Sequence, residues 1–66
     1  MQIRLDDQRL DVADGLTLAQ LLARLEQPAE RVATAVNGRF VPRDARGVTT
    51  LAEGDQVLLF KAITGG

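Results

Sequence analysis

The sequence predicts an α+β domain in which one main helix packs on one face of a mixed sheet of four to five strands. Three observations carry this reading. Short alternating polar–apolar stretches open the chain and recur after Val32, a single leucine stripe has helical spacing, and the most hydrophobic stretch comes close to the C-terminus. The chain has 66 residues, enough for one domain spanning 1–66. A domain of that size buries only ~60% of its unfolded surface, so the core is thin and the stability is a few kcal/mol.

The first strand is Gln2 to Leu5, with Ile3 and Leu5 on one face. Asp6-Asp7-Gln8 is a polar turn, and Leu10 and Val12 resume the alternation in a second strand. Asp14-Gly15 breaks that strand. Thr17 then serves as a helix N-cap, and Gln20 completes a capping box. Leu18, Leu21, Leu22 and Leu25 form one apolar stripe, and the helix ends before Pro28. Burial of each leucine contributes roughly 1.5–3 kcal/mol. Val32 to Val36 is a third strand, turned by Asn37-Gly38 into the short strand Phe40-Val41, which Pro42 closes. Arg43 to Thr50 reads as polar and irregular. Glu53-Gly54-Asp55 is a turn, and Gln56 to Ile63 is the last strand, leaving 62–66 as an extended tail. The order strand, strand, helix, strand, short strand, strand is that of a β-grasp, the ubiquitin-like fold. Its first and last strands run parallel at the sheet centre, which suits the hydrophobic run Val57 to Phe60.

The composition excludes more than it identifies. The chain lacks His, Cys, Ser and Tyr. Its five threonines have no imidazole partner, and Lys61 is its single lysine, so activated-nucleophile chemistry has little to work with. Imidazole and thiolate metal ligands are missing, and no Gly-Lys-Ser/Thr follows any glycine, so neither a resident metal nor a phosphate loop is expected. Asp6-Asp7 and Glu53/Asp55 are the nearest carboxylate pairs, and both read as solvated turn residues. The net charge of −1, with basic residues scattered from Arg4 to Lys61, argues against nucleic-acid binding. No apolar run is long enough for a signal peptide or a membrane span, so a cytoplasmic location and a free monomer are expected.

What remains is the tail Ile63-Thr64-Gly65-Gly66. Two glycines without Cβ can lie extended in a narrow channel and leave the last carbonyl unhindered. An enzyme can thread such a tail and act on its carboxylate. Taken alone, a terminal Gly-Gly also reads as a frayed chain end or a cloning remnant.

Several stretches together resemble the ThiS family, the ubiquitin-like sulfur carriers of thiamine biosynthesis, over essentially the whole chain. They are Met1-Gln2-Ile3, Gly15-Leu16-Thr17 with Leu21-Leu22, Ala35-Val36-Asn37-Gly38 followed by Val41-Pro42-Arg43, and Glu53-Gly54-Asp55-Gln56-Val57-Leu58-Leu59-Phe60 running on to Gly65-Gly66. The Gly-Asp turn and terminal Gly-Gly are common to ubiquitin-like sulfur carriers, whereas the block from Val36 to Arg43 points to the thiamine branch. The resemblance implies a carrier, not an enzyme. A ThiF-type adenylating enzyme would use ATP and Mg²⁺ to activate Gly66, with Gly65, Thr64 and Ile63 threaded into the partner. Sulfur from a cysteine desulfurase persulfide would give a thiocarboxylate, and thiazole synthase ThiG would accept it. The carrier itself would bind no cofactor.

Other readings share much of this pattern. The small subunit of molybdopterin synthase has the same fold and tail chemistry but tends to be longer, with a more aromatic last strand. A protein modifier would end in an isopeptide bond, and a regulatory β-grasp module would not use the tail. On the body of the domain, if Val57 and Leu59 face the helix, Leu58 and Phe60 face the other side of the sheet. There they either form a partner-docking patch, which Arg4, Arg39, Arg43 and Lys61 can flank, or Phe60 packs as core under the 43–50 segment.

Overall fold

The computed structural model describes residues 1–61. Strand β1 (Gln2–Leu5) pairs antiparallel with β2 (Gln8–Asp11), in register from Gln2 opposite Asp11 to Leu5 opposite Gln8. The connection is therefore the two residues Asp6-Asp7, with Asp6 at φ 54°. So tight a turn starts β2 at Gln8, two residues before the Leu10 expected from alternation. Val12 lies just beyond the strand, although its N–H still donates to the Met1 carbonyl at 2.8 Å.

The helix α1 (Leu18–Arg24) begins as its capping residues dictate. The Thr17 hydroxyl accepts from the Gln20 N–H at 3.2 Å, and the Gln20 side chain accepts from the Thr17 N–H at 2.9 Å. Leu18, Leu21 and Leu22 are buried, and Leu25, at the C-cap, is half-buried against the core. Glu26 then takes a left-handed φ of 55°, which turns the chain out of the helix before Pro28. A short 3₁₀ turn, Ala29–Arg31, leads into β3 (Val32–Val36). Asn37 and Gly38, at φ 52° and 83°, form the tight turn to β4 (Arg39–Val41).

The segment after β4 corrects the expectation of irregular chain. Arg43–Val48 is a 3₁₀ helix. Pro42, at φ −64°, presets the backbone for it, and the helix packs against α1. Strand β5 (Gln56–Lys61) closes the sheet, and the expected continuation at 62 and 63 lies outside the described residues.

The five-stranded sheet has the order β2-β1-β5-β3-β4. Strand β5 is central, parallel to β1 and antiparallel to β3, as the β-grasp reading requires. The core lies between sheet and helix. Ile3 and Val57 from the sheet and Leu18 and Leu21 from the helix are at most 1% exposed, and Val12, Leu16, Val41 and Leu51 complete the cluster.

Candidate functional site

Two turns position β5. Asn37 Nδ2 donates to Asp55 Oδ1 at 2.9 Å, and Asn37 Oδ1 accepts from the Gln56 N–H at 3.0 Å. Asp55 Oδ2 also accepts from the Ala52 N–H at 2.7 Å. The Asn-Gly and Gly-Asp motifs are thus one hydrogen-bonded unit that sets where β5 begins. Gly54 sits at φ 82°, where a side chain would be strained. Asp55 and Glu53 are occupied in these turns, the latter accepting from the Gln2 N–H at 3.0 Å.

At its other end β5 outruns its parallel neighbour. Pairing with β1 ends at Leu5 opposite Val57, whereas pairing with β3 continues to Val32 opposite Lys61. Beyond β1 the Asp6 carboxylate accepts from the Leu59 N–H at 3.4 Å. The last described strand residues therefore overhang one side of the sheet, held by β3 alone through the backbone. Ile63, Thr64, Gly65 and Gly66 lie outside the described residues.

The face of the sheet away from α1 carries the other predicted site residues. Leu58 lies opposite Ala35 and Phe60 opposite Ala33, while Phe40 on β4 lies opposite Ala35 from the far side. Strand alternation puts all five on one face. Phe60 is 53% exposed and Phe40 69%, and Leu58 is half-buried. Phe60 is thus open to solvent, on the face opposite the one that α1 and the 3₁₀ helix cover. The two alanines form the floor of a shallow apolar trough between the larger side chains. Ala35 is only 8% exposed because Phe40 and Leu58 flank it. Phe40 was the missed member. Its signal was available in the inward-facing Val41, which forces the residue before it outward.

The cations expected around this patch divide. Arg4 shares the open face, directly opposite Arg9 on β2, which the sequence reading did not single out. Arg39 and Lys61 lie opposite Val36 and Val32, register positions of the helix-covered side. Arg43 belongs to the 3₁₀ helix and, with Arg46, Ala19, Leu22, Ala23 and Gln27, lines a cavity of about 390 Å³ beside α1.

Arg46 is a second residue the sequence reading missed. It is 4% exposed. Its Nε donates to Thr34 Oγ1 at 3.2 Å, and its guanidinium also donates to the Val32 carbonyl. Thr34 Oγ1 in turn donates to the Val41 carbonyl at 3.0 Å. This network ties the 3₁₀ helix to β3 and β4. Among the described residues, no group of three or more His, Cys, Asp or Glu can hold a metal ion, and no helix is long and apolar enough to cross a membrane.

Known proteins match this arrangement along the whole chain. The crystal structure of the thiamine biosynthesis protein ThiS from Geobacter metallireducens superposes with a TM-score of 0.88 at 30% identity, covering 100% of both chains. SAMP1 from Haloferax volcanii superposes with a TM-score of 0.67 at 19% identity, over 98% of this chain and 97% of that one, a likeness of fold. In sequence, the chain is 41% identical to the sulfur carrier protein ThiS of Escherichia coli K12 over 66 residues, 100% of each. The model of the ThiS family matches residues 2–66, through the turn motifs and the trough strands to the terminal glycines. On fold, on full-length identity and on that family match, the chain belongs to the ThiS family.

Proposed function

We propose that this protein is the sulfur carrier of thiazole formation in thiamine biosynthesis, and that its working group is the carboxylate of Gly66. The observation that carries this reading is 41% identity over the full length to a named sulfur carrier, within a family match that runs to residue 66. The residue inventory supports it, because a carrier needs no nucleophile, base or metal of its own.

The chemistry is that of an activated acid. A carboxylate is a poor electrophile. A ThiF-type enzyme, using ATP and Mg²⁺ of its own site, joins the Gly66 carboxylate to AMP and releases pyrophosphate. A sulfur nucleophile, supplied ultimately as a cysteine desulfurase persulfide, then displaces AMP, and a thiocarboxylate remains once a thiol has cleaved the intervening acyl disulfide. Thiazole synthase ThiG takes up that sulfur, and the carrier returns as the free acid. Gly65, Thr64 and Ile63 are the segment threaded into each partner. Leu58 and Phe60 contribute the docking surface on β5, which runs past its pairing with β1 as far as Lys61.

Incubation with the activating enzyme, ATP and a sulfur source tests the reading. Mass spectrometry of the intact protein should show one oxygen exchanged for sulfur, and transfer to the thiazole product should restore the original mass. An unchanged mass, or equal modification of a chain lacking Gly66, overturns it.

A further inference from the structure

The open face of the sheet is apolar on one side only. Strands β5, β3 and β4 contribute Leu58, Phe60, Ala33, Ala35 and Phe40, whereas β1 and β2 contribute Arg4 and Arg9. These two arginines stand directly opposite each other in the antiparallel register. Like charges in that position oppose pairing of the strands. Neither side chain has a hydrogen bond or ion pair among the described residues; the Met1 ammonium pairs with Asp14, away from both. Glu53 lines the same groove as Arg4 and Arg9, but its carboxylate accepts from the Gln2 N–H. Asp11, opposite Gln2 on that face, is not in ion-pair contact with either arginine. The chain's net charge is −1, so a basic composition does not account for the pair.

We propose that the open face docks a protein surface in which an apolar ridge is bordered by paired carboxylates, the ridge packing on Phe40, Leu58 and Phe60 along the trough and the carboxylates meeting Arg4 and Arg9. An unsatisfied cross-strand cation pair beside an exposed apolar trough is complementary to that chemistry, and guanidinium forks suit bidentate carboxylate contacts. No basic track continues past the pair, as binding to a phosphate backbone would need. A second copy of the chain offers the same two cations in return. This inference rests on the carrier reading, with the activating enzyme as the partner.

The test measures the apparent KM of the carrier in enzyme-catalysed ATP–pyrophosphate exchange across a salt series. Arg4→Glu/Arg9→Glu should raise KM about tenfold, leave kcat nearly unchanged and flatten the salt dependence. Arg4→Gln/Arg9→Gln should fall between that variant and wild type while melting at or above the wild-type temperature, because the repulsion is gone. The charge-matched control Arg24→Glu/Arg31→Glu, on α1 and the 3₁₀ turn, should change KM by less than about twofold. A wild-type KM for the Arg4/Arg9 reversal, or an equal rise in the control, overturns the proposal while wild-type activation leaves the carrier reading standing. A wild-type chain that the enzyme does not activate overturns both. A chain that sediments alone as a dimer, and dissociates on the Arg4/Arg9 reversal, makes the face a self-association surface and also overturns it.

Discussion

The two faces of the sheet are made by the same strands and differ in almost everything else. On the helix-covered face, Ile3, Thr34 and Val57 are fully buried, and the polar atoms of Thr34 and Arg46 are hydrogen-bonded into the fold. On the open face, one residue away along each strand, Phe40 and Phe60 meet solvent and Arg4 faces Arg9. Folding requires the first face and tolerates the second. Burial of apolar area and satisfaction of buried polar groups stabilise the domain on one side. On the other side, exposed rings and opposed cations add little or oppose folding, which leaves that surface available for recognition.

This contrast makes ordered predictions. The largest effect should come from Ile3→Ala on the covered face, with a loss of about 2–5 kcal/mol from the cavity left behind. In a domain of this size that leaves much of the chain unfolded at room temperature, as urea denaturation followed by circular dichroism will show. Arg46→Met keeps the stem but removes donors to Thr34 and the Val32 carbonyl, and should cost about 1–3 kcal/mol. Hydrogen exchange should then accelerate first in β3 and its neighbours. An unchanged denaturation midpoint would show that the buried guanidinium contributes nothing net. The smallest stability effect should come from Phe60→Asp on the open face, within about 0.5 kcal/mol. On the carrier proposal, that variant should nevertheless bind the activating enzyme more weakly in a titration. Unfolding on this substitution would mean that the open face belongs to the core after all.

How far each feature could be read from the chain depended on how local its cause was. The capping box at Thr17 and Gln20, the Asn37-Gly38 turn and the leucine stripe are set by residues within a turn or two of each other, and they formed as read. Strand β2 was displaced toward the turn because hairpin register follows turn length, and Asp6-Asp7 proved shorter than its composition indicated. The 3₁₀ helix at Arg43–Val48 was not legible, since its polar residues carry no periodic pattern and its support comes from α1. Arg46 illustrates the same point. Arginine is ordinarily assigned to the surface, and only packing of that helix over β3 turns the guanidinium inward. Of the site, Leu58 and Phe60 were placed by alternation alone. The outward side of Phe40 and the inward parity of Lys61 follow from alternation too, but that Phe40 shares a patch with Leu58 and Phe60, and that Arg9 stands beside Arg4, depended on which strands lie side by side.

By itself, then, the sequence determined the helix, the hairpin turns, the alternation of the strands and the lack of His, Cys, Ser and Tyr, because residue inventory and short-range periodicity need no fold to be read. It also led to the proposal that the terminal glycines carry the chemistry. The tertiary structure decided what shares a surface. Pairing β5 with β3 brings Phe60 and Leu58 beside Ala33 and Ala35, and pairing β3 with β4 adds Phe40. Pairing β1 with β2 sets two arginines face to face. These neighbours are distant in the chain, and their register is selected by the one arrangement that buries Ile3, Val57 and the helix leucines together.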